Sequence, residues 1–184
     1  MARRKTISDA EVLSAAARVM FAAGPGDFTL ADVAKASGVA PATLVQRFGD
    51  KHGLIVAALE QDNAAFAAAM DGLPARQGAE AVIAIFAGMF EGVGDDVGVF
   101  ADQLLWLRQD MRDPDLNRLA RARFDRMRAA VAERMPPLSV PPAEAALLVE
   151  AQWQGVLVQW GIYREGRLAD FVAERLRAWF AVAA

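Results

Sequence analysis

Apolar residues recur every three to four positions along most of this 184-residue chain, which is the spacing of amphipathic α-helices. No segment shows the strict apolar and polar alternation that is typical of a half-buried strand. Glycine- and proline-containing breaks separate the periodic segments. The pattern predicts an all-α fold of about nine helices, with a small three-helix N-terminal domain followed by a larger helical body.

The first two helices of the N-terminal domain begin with strong capping patterns. Ser8 and Glu11 have the spacing of a capping box, in which each residue satisfies a backbone N–H of the other. The segment 24–26, Gly-Pro-Gly, is expected to end the first helix. Thr29 is then placed to cap a second helix that starts at Leu30.

A tight glycine-containing turn joins the second and third helices. Residues 37–39, Ser-Gly-Val, end the second helix, and Gly38 tolerates the positive φ that such a turn requires. Pro41 fits the first position of the third helix, where its missing N–H costs nothing. Gly49-Asp50 ends that helix before a longer one begins at Lys51. This is the layout of a helix-turn-helix DNA-binding motif.

Residues 8 to about 60 resemble the tetracycline-repressor (TetR) family of bacterial transcriptional regulators. The matching residues are Phe28, Thr29, Asp32, Val33, Ala34, Ser37, Gly38, Val39, Thr43, Leu44, Phe48 and Lys51. The resemblance implies a DNA-binding domain over residues 1–53 and an effector-binding and dimerisation domain over residues 54–184.

The motif departs from the family pattern at several positions. Val45 stands where the family usually has a tyrosine that contacts the DNA backbone, and Ala40 stands where serine is frequent. His52-Gly53 replaces a pair of good helix formers. Gly53 is expected to weaken the first turn of its helix by about 1 kcal/mol relative to alanine.

The third helix, residues 41–48, is the predicted recognition helix. Its apolar exposed residues are expected to touch thymine methyl groups, whereas Gln46 and Arg47 are long enough to reach bases or phosphates. Substitution of Arg47 is expected to relax base preference, and substitution of Lys51 to weaken binding to all sequences. The predicted DNA-binding residues are Thr29, Pro41, Ala42, Thr43, Val45, Gln46, Arg47, Lys51 and His52.

The charge distribution agrees with DNA binding by the N-terminal domain. Residues 1–53 carry seven Lys and Arg against five Asp and Glu, a net charge of +2. Residues 54–184 carry thirteen Arg against eighteen Asp and Glu, a net charge of −5. The basic segment Arg3-Arg4-Lys5 is either a DNA-binding arm or an unstructured tail.

The body is predicted to contain helices at 51–70, 79–92, 98–111, 114–135, 142–165 and 167–182. The helix at 142–165 has apolar residues on two sides, so one side is expected to pack in its own chain and the other against a second copy. A single thick monomeric core is the alternative interpretation. The predicted dimerisation residues are Leu148, Gly155, Val158, Ile162, Leu176 and Trp179.

The middle helices are rich in aromatic residues and methionine, which suit either plain core packing or an apolar cavity for a small molecule. The family resemblance favours the cavity, and the scarcity of polar groups favours a hydrophobic effector over a sugar or nucleotide. The predicted ligand-binding residues are Phe66, Phe86, Phe90, Phe100, Leu104, Trp106, Leu107, Phe124, Met127 and Trp153.

The composition argues against several other classes of function. The chain has no cysteine and one histidine, His52, so we predict no metal site, no cofactor and no catalytic residues. No apolar run is long enough to span a bilayer, and no signal peptide is recognisable, so a cytoplasmic location is expected.

The predicted function is a homodimeric, ligand-responsive repressor. It binds a near-palindromic double-stranded DNA operator and is released by a hydrophobic small-molecule effector. The alternative is a dimeric ligand-binding or protein-interaction module whose N-terminal domain no longer binds DNA.

Overall fold

The computed structural model describes residues 7–89 and 96–183 and is all-α over those residues. This confirms the predicted fold class. The helices are α1 (Asp9–Asp27), α2 (Leu30–Ser37), α3 (Pro41–Phe48), α4 (Lys51–Asp71), α5 (Ala79–Gly88), α6 (Val97–Arg112), α7 (Pro114–Ala132), α8 (Pro142–Tyr163) and α9 (Leu168–Ala183).

Three helix ends within the described residues deviate from the prediction by more than a single residue at the boundary. Helix α1 runs on to Asp27, but Gly24 is non-helical (φ 78°, ψ 168°) and breaks it where the Gly-Pro-Gly segment predicted an end. Helix α7 ends at Ala132 and not at residue 135. Helix α8 ends at Tyr163 because Arg164 adopts a left-handed conformation (φ 58°). The end predicted for α5 at residue 92 lies outside the described residues.

The chain divides into two compact units that do not follow chain order. The head unit comprises the described parts of Met1–Phe66 together with Asp102–Ala122. The body unit comprises the described parts of Ala67–Ala101 and Arg123–Ala184. The division of roles between residues 1–53 and 54–184 stays a prediction.

The head unit has its own hydrophobic core, to which every helix that enters the unit contributes. Leu44 is the buried residue of α3 and is 1% exposed. Trp106 of α6 packs edge-on against Phe21 of α1, with 5.9 Å between the ring centroids. The core residues are Val12, Ala16, Met20, Phe28, Val33, Ala34, Leu44, Leu54, Ile55, Ala58, Trp106 and Leu116. This core fixes the positions of α2 and α3, the two helices of the predicted motif.

In the body unit, α9 packs against both α5 and α8. Trp160 of α8 is 1% exposed, and its indole Nε1 donates a hydrogen bond to the carbonyl of Gly166 at 3.1 Å. The buried face of α8 also includes Val149 and Val156. Among the described residues, no helix is both long and apolar enough to cross a membrane.

Candidate nucleic-acid interface

Helix α2 begins with a reciprocal capping box. The hydroxyl oxygen of Thr29 accepts a hydrogen bond from the Asp32 backbone N–H at 3.3 Å. The carboxylate of Asp32 accepts from the Thr29 backbone N–H at 2.8 Å and from its hydroxyl at 2.7 Å. These hydrogen bonds from Thr29 lower the pKa of the exposed Asp32 carboxyl, because they favour its charged form. The cap holds the start of α2 with the exposed Thr29 at its tip.

Replacing Thr29 with alanine is expected to lower the free energy of unfolding by about 1 kcal/mol, because the hydroxyl that joins the Asp32 N–H and the Asp32 carboxylate is lost. The stabilisation from the Asp32 carboxylate is present at neutral pH and is lost as the pH falls through its lowered pKa, below about pH 4. Urea unfolding at pH 7 and pH 3 measures both effects. The variant should therefore lose less stability on acidification than the parent protein.

Thr29→Ser is the matched control, because serine keeps the capping hydroxyl. It should retain both the stability and the acid dependence of the parent protein. Equal stability of the alanine and serine variants would contradict the role assigned to the cap.

The turn between α2 and α3 depends on Gly38. Its φ of 76° lies in the left-handed region, and its N–H donates to the carbonyl of Ala34 at 2.9 Å, which ends α2. Helix α3 then starts at Pro41, as the sequence predicted. The turn thus presents the N-terminal end of α3 on the surface.

Helix α3 exposes the face that the sequence predicted to meet DNA. Pro41, Ala42, Val45 and Gln46 are exposed, with Val45 at 48%, whereas Thr43 is half-buried. The exposed face is apolar except for the amide of Gln46. It therefore suits contacts to thymine methyl groups and a single hydrogen-bonding contact to a base edge.

Arg47 has a different place from the one predicted. Its guanidinium donates to the carbonyl of Ile7 at 2.9 Å and to the Asp9 carboxylate at 3.1 Å, and its side chain is 25% exposed. Arg47 therefore ties the end of α3 to the start of α1. These contacts hold the guanidinium within the chain, and its contact with DNA stays a prediction.

Lys51 and His52 are also held by contacts within the chain. The Lys51 ammonium lies 4.1 Å from the centroid of the Phe28 ring and 3.5 Å from the Gly26 carbonyl oxygen. The His52 imidazole lies between the carboxylates of Asp113 and Asp115. Those carboxylates disfavour an approaching phosphate. The DNA contact of His52 stays a prediction.

Gly53 has a packing role that the sequence did not reveal. A Cβ atom at this position would lie 2.1 Å from the backbone carbonyl oxygen of Phe48. The Gly53 N–H donates to the Asp50 carboxylate at 2.8 Å, so Asp50 caps the start of α4. The absence of a side chain thus allows α4 to begin close against the end of α3, and the expectation of a merely weakened helix is corrected.

Comparison with protein families identifies this domain. Residues 12–58 match the family model described as bacterial regulatory proteins, tetR family. The N-terminal domain is a TetR-family DNA-binding domain. The resemblance seen in the sequence is thereby confirmed. No curated protein matches the sequence.

Solved structures share the fold of this chain over nearly its whole length. A putative TetR-family transcriptional regulator from Mesorhizobium loti has a TM-score of 0.65 at 19% identity, covering 95% of each chain. The regulator FadR from Bacillus subtilis, in complex with stearoyl-CoA, has a TM-score of 0.66 at 15% identity, covering 92% of this chain and 96% of its own. The multidrug-binding protein EbrR, complexed with malachite green, has a TM-score of 0.64 at 24% identity, covering 92% and 95%.

The family consists of transcriptional regulators, a class of protein that is not enzymatic, in agreement with the prediction. The basic segment at residues 3–5 lies outside the described residues.

The predicted ligand-binding residues are divided between the two units of the chain. Phe66, Leu104, Trp106 and Leu107 lie in the head unit, and the other described ones lie in the body unit. Trp106 belongs to the head core, and Leu104 and Leu107 are 42% and 38% exposed, so a cavity-lining role is not supported for these three. Phe90 lies outside the described residues.

In the body unit, several predicted ligand-binding residues are buried. The rings of Phe86 and Trp153 stack in a tilted arrangement with 5.1 Å between their centroids. Phe100 and Met127 are also buried, whereas Phe124 is half-buried. These aromatic side chains form the apolar interior of the body unit.

One cavity of about 550 Å³ lies on the surface of the head unit, between α1 and α2. None of the predicted ligand-binding residues lines it. Its lining residues are Ile7, Ala10, Glu11, Ser14, Ala15, Arg18, Ala36 and Ser37.

The predicted dimerisation residues differ in their exposure. Leu148, Val158 and Ile162 of α8 are 47%, 48% and 69% exposed, and Gly155 is exposed between them. Trp179 of α9 is half-buried. Leu176 is fully buried in its own chain and offers no surface to a partner, so its predicted interface role is wrong.

Proposed function

We propose that this chain is a ligand-responsive transcriptional repressor that binds a near-palindromic operator as a homodimer. The observation that carries the proposal is the exposed face of α3 in a TetR-family domain, held by the capped α2 and the Gly38 turn. A helix presented in this way enters the major groove of DNA with its N-terminal residues at the base edges.

In this proposal, α3 recognises the DNA sequence with few polar groups. Pro41, Ala42 and Val45 offer apolar contacts, and Gln46 offers the one long polar side chain of α3 that is exposed. Glutamine can pair with the N6 and N7 atoms of adenine. The operator is therefore expected to contain A·T pairs at the positions that face α3, and part of the preference comes from DNA shape.

Replacing Gln46 with alanine is expected to lower affinity for the preferred duplex about tenfold or more, because a bidentate base contact contributes about 1–3 kcal/mol of discrimination. Affinity for a mixed-sequence duplex should change little. Fluorescence anisotropy with both duplexes measures the difference. Gln77→Ala, which removes a similar amide in the body unit, should leave both affinities unchanged.

Dimerisation is proposed through the exposed apolar face of α8. Leu148, Val158 and Ile162 lie on the side of the helix opposite the buried Val149, Val156 and Trp160. Apolar side chains with such exposure, aligned on one helix face, are typical of a protein–protein interface. A second copy supplies the same face by two-fold symmetry and brings two α3 helices to the two half-sites.

The effector is proposed to be a hydrophobic small molecule that binds in the body unit. The aromatic and methionine side chains of that unit, such as Phe86, Met127 and Trp153, supply apolar and adaptable surface. The bound molecules of FadR and EbrR, stearoyl-CoA and malachite green, both carry large apolar parts. These two relatives support the class of ligand and not its identity.

The test of the proposed function is a titration of the purified full chain with a mixed-sequence duplex at low and moderate salt. We expect measurable binding that weakens as salt rises, because phosphate contacts release counterions. Addition of an apolar compound that binds the body should then lower the affinity for DNA.

Negligible DNA binding at low salt, together with retained binding of apolar compounds, would support the alternative of a module that has lost DNA binding. One observation favours this alternative: Arg47, Lys51 and His52 all make contacts within the chain.

A further inference from the structure

One histidine and two aspartates meet in the head unit. His52 is in the first turn of α4, Asp113 lies between α6 and α7, and Asp115 is in the first turn of α7. The His52 Nδ1 atom lies 3.5 Å from an oxygen of Asp113, and the Nε2 atom lies 3.3 Å from an oxygen of Asp115. The two aspartates lie 61 and 63 positions after His52 in the sequence, so the spacing gave no indication of the cluster.

This arrangement attracts a cation. A neutral imidazole carries one N–H and can donate to only one of the two carboxylates. The other carboxylate then faces a nitrogen lone pair, which is unfavourable unless positive charge lies between them. A metal ion bound at the ring provides that charge.

The three side chains are placed to act as metal ligands. One ligand atom of each lies within 4.8 Å of the others. A zinc ion binds nitrogen and carboxylate oxygen at about 2.0–2.2 Å, so donor atoms of one site are separated by about 3.5 Å. Small rotations of His52 and Asp115 close that difference, and their side chains have the exposure to make them, at 46% and 59%.

Asp113 enters such a site with a fixed orientation. One of its carboxylate oxygens accepts hydrogen bonds from the backbone N–H groups of Asp115 at 2.9 Å and Leu116 at 3.1 Å. This caps α7 and leaves the other oxygen directed to His52. The helix cap therefore positions one ligand before any ion binds.

We propose that His52, Asp113 and Asp115 form a binding site for a divalent transition-metal ion of the zinc class, with water completing the coordination. The imidazole ligand favours zinc, cobalt or nickel over magnesium and calcium, which prefer sites made only of oxygen. The ion joins the first turn of α4, which directly follows the recognition helix, to the first turn of α7. If the proposed function holds, the metal acts on DNA affinity as a second effector.

The site is tested by titrating the tag-free, chelator-treated full chain with Co²⁺, followed by visible absorption, and with Zn²⁺, followed by calorimetry. We expect one equivalent of metal per chain at this site. His52→Asn, Asp113→Asn and Asp115→Asn should each weaken binding at least tenfold, and asparagine at 113 can still cap α7. Mg²⁺ at the same concentration should give no signal.

Glu60→Gln is the matched control, because it removes an exposed carboxylate of the same unit that pairs with Arg118 at 3.0 Å. It should bind Co²⁺ as the parent protein does. The proposal is overturned if the parent protein shows no stoichiometric Co²⁺ spectrum. It is equally overturned if the three variants bind as tightly as the control.

Repeating the duplex titration with and without Zn²⁺ tests the regulatory role separately. A change in DNA affinity in the parent protein, absent in His52→Asn, is the expected result, and no change would overturn that role. Absence of DNA binding under both conditions, with metal still bound, would count against the proposed function and not against the site.

Discussion

Replacing Gly53 with alanine is expected to destabilise the protein by about 2–3 kcal/mol and to lower its affinity for DNA. The added methyl group would lie 2.1 Å from the carbonyl oxygen of Phe48, which is backbone and cannot rotate away. The chain must then separate the start of α4 from the end of α3. Urea unfolding measures the loss of stability. A duplex titration measures the loss of DNA affinity that follows from displacing the recognition helix.

Gly88→Ala is the matched control for this prediction. Gly88 is the last residue of α5, and nothing lies within 4 Å of the position that its Cβ would take. Alanine should be neutral there or stabilise by up to about 1 kcal/mol, since it has the higher helix propensity. If the two variants had the same stability, the close approach of α4 to Phe48 would not be a feature of the protein in solution.

Replacing Val158 with glutamate is expected to convert the proposed dimer into a monomer. Val158 lies on the exposed apolar face of α8 with Leu148 and Ile162. A dimer would place two new carboxylates against apolar surface near its two-fold axis, and an unpaired buried charge costs several kcal/mol. We expect a rise of at least a hundredfold in the dissociation constant, measured by sedimentation equilibrium.

The loss of the dimer should also weaken binding to a duplex with two half-sites, because each head then binds alone. Met111→Glu is the control, since it places the same charge on an exposed apolar residue of α6 (70% exposed). It should remain a dimer. Dimerisation of both variants would place the interface away from α8, and a monomeric parent protein would contradict the proposal itself.

The local features of the fold could be predicted from the sequence because their causes are local. Thr29 with Asp32, and Gly38 before Pro41, act within a few residues of one another, and the starts of α2 and α3 were predicted correctly from them. The capping box and the left-handed glycine each satisfy backbone groups that any sequence must satisfy at a helix end.

The features that were missed depend on contacts between distant residues. Arg47 contacts Ile7 and Asp9 across about 40 positions, and His52 contacts Asp113 across 61. The residue type shows that a side chain is long and polar, and the periodicity shows on which face of the helix it lies. It does not show which neighbour will hold it, so both residues were assigned to DNA.

The apolar helix faces were predicted correctly, but the function assigned to a residue on such a face was not always correct. The two apolar sides of α8 separated into the buried Val156 face and the exposed Val158 face. On α9, Leu176 follows the same helical pattern as an interface residue would, yet it lies in the core. Trp106 similarly entered the core of the head unit. An apolar residue in a helical pattern indicates a buried position. It does not show whether its own chain or a second chain buries it.

Selection of binding sites from random duplex DNA by the purified full chain, at low salt and without added ligand, shows whether this chain reads a two-fold DNA site. The account predicts enrichment of an inverted repeat with half-sites about one helical turn apart and A·T pairs opposite Gln46. Recovery of no two-fold motif would contradict the account of this chain as a dimeric DNA-binding regulator.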